Sequence, residues 1–420
     1  MSDAPVKTAE PKDISAKITQ EDIDRAKRQI GIPKHAHGLP YNTVSSRDAM
    51  RHFAFSCGED NPLWQDEAYG RKTRWGDQIA PPMFVVSTGT DLTPKYDPET
   101  KALFKGLFRG VSKYYSGDQW TWWKPVYPDE VIYTEETTCD VIVRETSRFS
   151  GRPTVTEVYR SLYVDSEGQP VAVREQSFVS AEREGSRKAG RYDNVKRQTY
   201  TPEDIAKIDA VYAAEERRGA EKRYWEDVQI GDAVTPVAKG PFTLVDIISY
   251  HMGSGLSHYG IGPLRLNYKQ RTRMPGFYVE DPYGVPDVAQ RVHWDHVRAQ
   301  ELGLPSAHDY GQMRANWLSH LVTNWIGDDG WMWKLSLETR AFNFLGDTTI
   351  LSGTVTDKRI EDGHHLVELT IQSMNQRGEN TCPATAIVIL PTRDKDAQLP
   401  APTVEAVERG KAIMALKNAK

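Results

Sequence analysis

Cysteine is scarce in this chain. Its 420 residues carry three, Cys57, Cys139 and Cys382, far apart and without paired spacing, so neither a disulfide framework nor a zinc site is expected. An excess of basic charge is missing too. Lys and Arg number 53 against 58 Asp and Glu, a formal net charge of −5, whereas a nucleic-acid surface needs a basic stripe. No apolar run approaches the roughly 20 residues that span a bilayer. The stretch from Met1 to Lys17 is polar and charged, unlike a secretory signal. No Gly-x-Ser-x-Gly elbow, phosphate loop or dinucleotide fingerprint occurs, which weakens hydrolase, nucleotidase and dehydrogenase readings. A cytoplasmic setting is expected, with no nucleic-acid partner, no membrane and no metal.

What is present fits a packed protein of two ordinary domains. The length is too great for one small domain, and an apolar fraction of 39% with 31 Gly and 25 Pro suits turn-rich globular structure. Tryptophan is abundant, at 11 residues. Trp120, Trp122 and Trp123 crowd one segment, and Trp317, Trp325, Trp331 and Trp333 another. Most large aromatics fill cores, but such clusters also suit the wall of a pocket for a bulky ligand.

The pattern repeats. A helix is expected over 19–30, capped by Thr19 with acids first and bases last, and a second over 45–55. The run Met83-Phe84-Val85-Val86 after Pro81-Pro82 opens a helix or a strand. Strands follow over 131–134, 139–144, 155–164 and 171–179, separated by Pro128-Asp129, Ser150-Gly151 and Ser166-Glu167-Gly168, which implies an antiparallel meander. Later come a helix near 246–251, an apolar-striped helix over 312–325, and strands over 350–356, 366–374 and 385–390. Helix then strands, twice, reads as tandem α+β units. The expected divisions are a flexible tail (1–18), a first unit (19–185), a helical linker (186–223, its helix begun by Thr201-Pro202), a second unit (224–395) and a C-terminal tail (396–420).

Two short motifs mark the units: Gly58-Glu59-Asp60-Asn61-Pro62-Leu63-Trp64-Gln65-Asp66, and the fainter Val292-His293-Trp294-Asp295. Together with Phe53-Ala54, Ile79-Ala80-Pro81-Pro82, Leu302-Gly303-Leu304-Pro305 and His308-Asp309-Tyr310-Gly311, they resemble the MaoC-like, (R)-specific enoyl-CoA hydratase family, over about 20–391. The first unit is similar to the family's FAS1-like dehydratase half. The resemblance implies a double hotdog, each half an antiparallel sheet wrapped around a central helix. It also implies reversible hydration of a 2-enoyl-CoA, with coenzyme A as part of the substrate and no separate cofactor. In the family, an acid and a His five residues later hold water. Here the first half has Trp64 in the His place. The second half has His293 but no acid five residues before it, and an insertion over 255–291 intervenes.

Hydration of an enoyl thioester needs a base for water, an acid for the α-carbon, and donors for the enolate-like oxygen. His293 is the expected acid/base residue. Its partner is expected to be Asp287, six residues earlier; Asp60 is the alternative, but Trp64 stands in the His place of that motif and cannot relay a proton, which favours the first half as a substrate-accommodating copy. Gly311, opening the long helix, is where the family places its oxyanion donor. Tyr310, His308 and Asp309 flank it as substrate-binding candidates, with Trp64 and Trp317. Arg265, Lys269, Arg271 and Arg273, and Lys334 and Arg340, are candidates for the phosphates of coenzyme A. The Trp clusters suggest a bulky acyl group. A hotdog thioesterase and a non-catalytic acyl-CoA-binding partner of another enzyme stay open, as does assembly into a homodimer or higher homo-oligomer.

Overall fold

A computed structural model describes residues 16–36, 38–147, 151–182, 192, 195–255 and 262–418. The expected tail up to Ser15, Ser150 of one turn, most of 183–194 in the linker and Tyr259-Gly260-Ile261 of the insertion lie outside the described residues.

Among the described residues the helices are α1 (Gln20–Arg28), α2 (Arg47–Ser56), α3 (Glu67–Gly70), α4 (Pro98–Phe104), α5 (Pro202–Ala213), α6 (Leu244–Ser254), α7 (Leu264–Arg273), α8 (His296–Glu301), α9 (Gly311–Ile326) and α10 (Val404–Asn418). The strands are β1 (Thr90–Asp91), β2 (Ser112–Trp122), β3 (Tyr133–Arg144), β4 (Thr154–Val164), β5 (Pro170–Ala181), β6 (Ala233–Lys239), β7 (Tyr278–Glu280), β8 (Pro286–Val288), β9 (Trp331–Glu338), β10 (Thr349–Glu361), β11 (His364–Asn375) and β12 (Ala384–Ile389).

Ten strands form one sheet in the order β1-β3-β4-β5-β2-β9-β12-β11-β10-β6. Every neighbouring pair is antiparallel except β1 with β3. The long strands repeat one order, β3-β4-β5-β2 in the first half and its mirror β9-β12-β11-β10 in the second. Ladder pairing of β2 with β9, from Gly117 opposite Glu338 to Thr121 opposite Lys334, makes the two halves one sheet. Helix α9 packs against β2, β6, β9, β10 and β12. This is a double hotdog.

Helix α9 is buried on all sides from Met313 to Ile326, as a central helix must be. Among the described residues the first half has no equal to it. Its Pro81-Pro82 entry leads only to a 3-10 turn, Pro82–Ser87, where the apolar run left helix and strand both open. Of the Trp-rich segments, Trp120 and Trp122 lie on β2 and Trp331 and Trp333 on β9, the two strands at the seam, while Trp317 and Trp325 lie on α9. Trp120 and Trp122 stack with ring centres 5.1 Å apart, and the Trp331 indole N–H donates to the Trp122 carbonyl at 3.0 Å. Aromatic residues suit a strand buried on both faces, and that explains most of the cluster. The linker helix stops at Ala213, and beyond it the Arg218 N–H donates to the Asn324 carbonyl at the end of α9.

The expected C-terminal tail contains a helix, α10, docked on the first half. Ala406 and Ile413 are buried, and Arg409 pairs with buried Glu135. The close approach needs two glycines. A Cβ on Gly410 would strike the Gly168 carbonyl, and one on Gly168, whose φ is +79°, would lie 2.9 Å from the Met414 side chain.

Candidate active site

His293 ends a 3-10 turn (Ala289–His293) just before α8, whose first N–H groups are capped by the Asp295 carboxylate. The chain then returns through 304–310 to start α9, bringing His308 and Tyr310 against His293. The ring of His293 stacks on Tyr310 at 3.8 Å and meets His308 edge-on at 4.5 Å. Its Nδ1 lies 3.0 Å from the His308 carbonyl oxygen. A carbonyl only accepts, so Nδ1 carries the proton and, in the neutral ring, Nε2 keeps a lone pair. Burial, with His308 adding to it, holds the imidazole down at about 3. His308 makes the matching contact, Nδ1 to the Asp309 carbonyl at 2.9 Å, and burial lowers it to about 4.

A third histidine belongs to this group. His251, on α6, meets the Tyr310 ring edge-on at 4.9 Å and the Trp294 ring at 6.4 Å. Burial lowers it to about 4. His251, Trp294, Tyr41, Met252, Lys269 and Arg273 are among the walls of a cleft of about 870 Å³. The sequence reading overlooked His251. The available signal was its place near the end of a helix that packs against, and parallels in order, the helix before the first motif.

The carboxylates expected nearby are occupied elsewhere. Asp287 sits in the β7–β8 hairpin, where its Oδ1 accepts the N–H of Val288 at 2.7 Å. No hydrogen bond or ion pair joins it to His293 among the described residues. Asp309 is buried in a two-pronged pair with Arg314, at 2.7 and 2.8 Å, and also accepts from Asn343. Asp309 therefore answers a buried guanidinium instead of facing a ligand. Gly311 does open α9, and the ring of Tyr115 from the first half lies against it so closely that any Cβ would collide.

Arg265 and Arg271 lie with Arg273 on α7, but of these three only Arg273 borders the cleft, alongside Lys269. Lys334 lies over the Trp333 ring and Arg340 pairs with Glu338, both away from that cleft.

In the first half, the structure separates two adjacent acids. Asp60 is exposed and paired with Arg217. Glu59 is buried, at 5% relative exposure. Burial pushes its carboxyl up to about 7, against the pull of Lys239 and the Trp64 indole. The sequence reading named Asp60, but the five-residue spacing back from Trp64 counts to Glu59. Trp64 is itself buried and walls, with Trp75, Trp122 and Trp331, a small cavity of about 40 Å³. Trp317 packs edge-on against Phe242 at 5.8 Å and borders a separate cleft of about 610 Å³.

Residues 35–174 match the model of the FAS1-like dehydratase domain region. Among solved structures, a MaoC-like dehydratase superposes with a TM-score of 0.57 at 14% identity, covering 87% of this chain and 99% of that one. A putative MaoC domain protein dehydratase from Chloroflexus aurantiacus J-10-fl gives 0.49 at 10% identity, covering 85% and 96%. No curated protein sequence matches the chain. The expected resemblance is met in the first half by the family model and over most of the chain by the fold. No helix among the described residues is long and apolar enough to cross a membrane.

Proposed function

We propose that this chain is a hydro-lyase acting on the double bond of a 2-enoyl thioester, or on the corresponding 3-hydroxyacyl thioester in reverse, with His293 as the acid–base group. One observation carries the reading: an imidazole at the entry of the central helix whose Nδ1 is fixed on the His308 carbonyl oxygen, which leaves Nε2 as the ring atom that can exchange a proton. Nε2 takes a proton from water as the oxygen adds to the β-carbon. The imidazolium then returns that proton to the α-carbon, so none is gained or lost. The first turn of α9 supplies backbone N–H groups for the thioester oxygen as it gains charge.

The cleft of about 870 Å³, walled by Tyr41, Trp294 and Met252, suits a bulky acyl group, and Lys269 and Arg273 at its edge suit the phosphates of coenzyme A. A panel of alkyl and ring-bearing enoyl-CoA thioesters, followed at the absorbance of the conjugated bond, tests this. His293→Ala is expected to lower turnover by about 10²–10⁴-fold while thioester binding persists. Undiminished turnover in that variant would remove His293 from the mechanism.

A second reading, a non-catalytic acyl-thioester binder, draws on the engagement of Asp287, Asp295 and Asp309 with other partners. It predicts binding without loss of the conjugated bond. Release of free thiol from a saturated acyl-CoA would instead mark a thioesterase.

A further inference from the structure

A second large cleft, about 610 Å³, is bordered by the end of α2, the segment after α5, β6 and α9. Lys239, the last residue of β6, reaches into it. Its Nζ lies 2.7 Å from His320 Nδ1 and 3.3 Å from the Cys57 carbonyl. On the far side of the ring, His320 Nε2 lies 3.0 Å from the Glu215 carboxylate, which also accepts from Asn324 at 2.9 Å. An amine donates to the imidazole and the imidazole donates to a carboxylate. This is the arrangement that activates a nucleophile or base elsewhere: a reacting group bonded to a histidine that a third group orients. Apolar walls are present too, from Phe55, Phe242, Met313 and Trp317. Among the described residues the Oε2 of Glu59 is buried without a hydrogen-bond partner, and the Glu59 carboxylate and the Lys239 amine act on each other electrostatically.

We propose that Lys239, linked through His320 to Glu215, is the proton-transfer group of a second acyl-thioester site in this cleft. It takes the place of the histidine that the first motif lacks at Trp64. The thioester part rests on the function proposed above; the reactivity of Lys239 does not. Around the amine stand Cys57, Glu59 and Asp60 from the end of α2, and Glu215, Arg217 and Tyr212 from the linker. Asp246 on α6 and His320 on α9 complete the set. Burial lowers Lys239, while Glu59 and then Glu215 hold it up. Removing Glu59's charge must therefore lower it further.

Competitive acetylation of the full chain with acetic anhydride across pH 6–11, read peptide by peptide by mass spectrometry, measures this without any turnover. Lys239 is expected to reach half-maximal labelling at lower pH than the surface lysines, and at lower pH still in Glu59→Gln. A midpoint equal to that of the surface lysines, or one that Glu59→Gln leaves in place, overturns the proposal. For the ligand, cinnamoyl-N-acetylcysteamine is expected to protect Lys239 in the His293→Ala protein, and the residual hydration of that protein is expected to fall at least tenfold on adding Lys239→Met. Protection absent, or residual turnover unchanged, refutes the second thioester site. Loss of all hydration in wild type, with the labelling result intact, would refute only the function proposed above.

Discussion

Single residues decide which of several plausible acids and glycines can take part in chemistry. Asp309 looked like a substrate contact because it sits beside Tyr310 at the head of α9. Its burial with Arg314 gives it another task. Taking one partner from a buried ion pair costs about 3–5 kcal/mol, because the other charge is left without compensation. Asp309→Asn is therefore expected to lower urea-unfolding stability by several kcal/mol. Asp60→Asn, which touches only an exposed pair with Arg217, is expected to change it by less than about 1 kcal/mol. Equal losses in both variants would contradict this assignment. The same logic applies to Gly311. With the Tyr115 ring against it, Gly311→Ala must displace a side chain of the other half, at about 1–3 kcal/mol. A thermal melt showing no loss would mean that Tyr115 moves freely. The five-residue spacing back from Trp64 counts to Glu59, whereas the Asp-Asn-Pro run points to Asp60. Only burial distinguishes an acid facing water from one facing an amine.

At the scale of elements, most of the architecture was legible because the periodicities were clean. The stripe over 312–325 became α9, and the β-branched runs after residue 131 became β3, β4 and β5. What escaped was decided by packing between distant parts of the chain. Strands β2 and β9 were hidden because tryptophans, read as a binding wall, belong to a seam whose partner strand lies more than 200 residues away in sequence. The short 3-10 turn at Pro82–Ser87 could not be foreseen either, since a four-residue apolar run carries no period. Helix α10 lies where the sequence implies a tail, and its Gly410 meets Gly168 in the β4–β5 turn. That contact predicts a specific failure. Gly410→Val is expected to unseat α10, exposing 404–418 to limited proteolysis while the circular dichroism of the sheet persists. Resistance equal to wild type would show that α10 docks without the glycine pair.

For the whole molecule, the buried titratable groups fix how stability responds to acid, and the two kinds act in opposite senses. His251, His293, His308 and His320 are held at about 4, 3, 4 and 4 against a usual 6.5, with burial the largest cause in each. The unfolded chain binds protons at these residues near pH 6.5 while the native protein refuses them until about pH 3–4. Stability thus falls as pH drops through that window, by up to about 1.4 kcal/mol per pH unit for each histidine. Glu59, raised from 4.5 to about 7, keeps its proton in the native state. Its contribution is full below pH 4.5 and is lost as pH rises through 7. Four groups outweigh one, so the midpoint of thermal unfolding is expected to fall steeply from pH 6.5 to pH 4. Glu59→Gln separates the two effects: it is expected to raise the melting temperature at pH 8, where wild type must bury a charge, and to leave it nearly unchanged at pH 4. A variant destabilised equally at both values would mean that Glu59 is held by its packing, and that its proton plays no part in the fold.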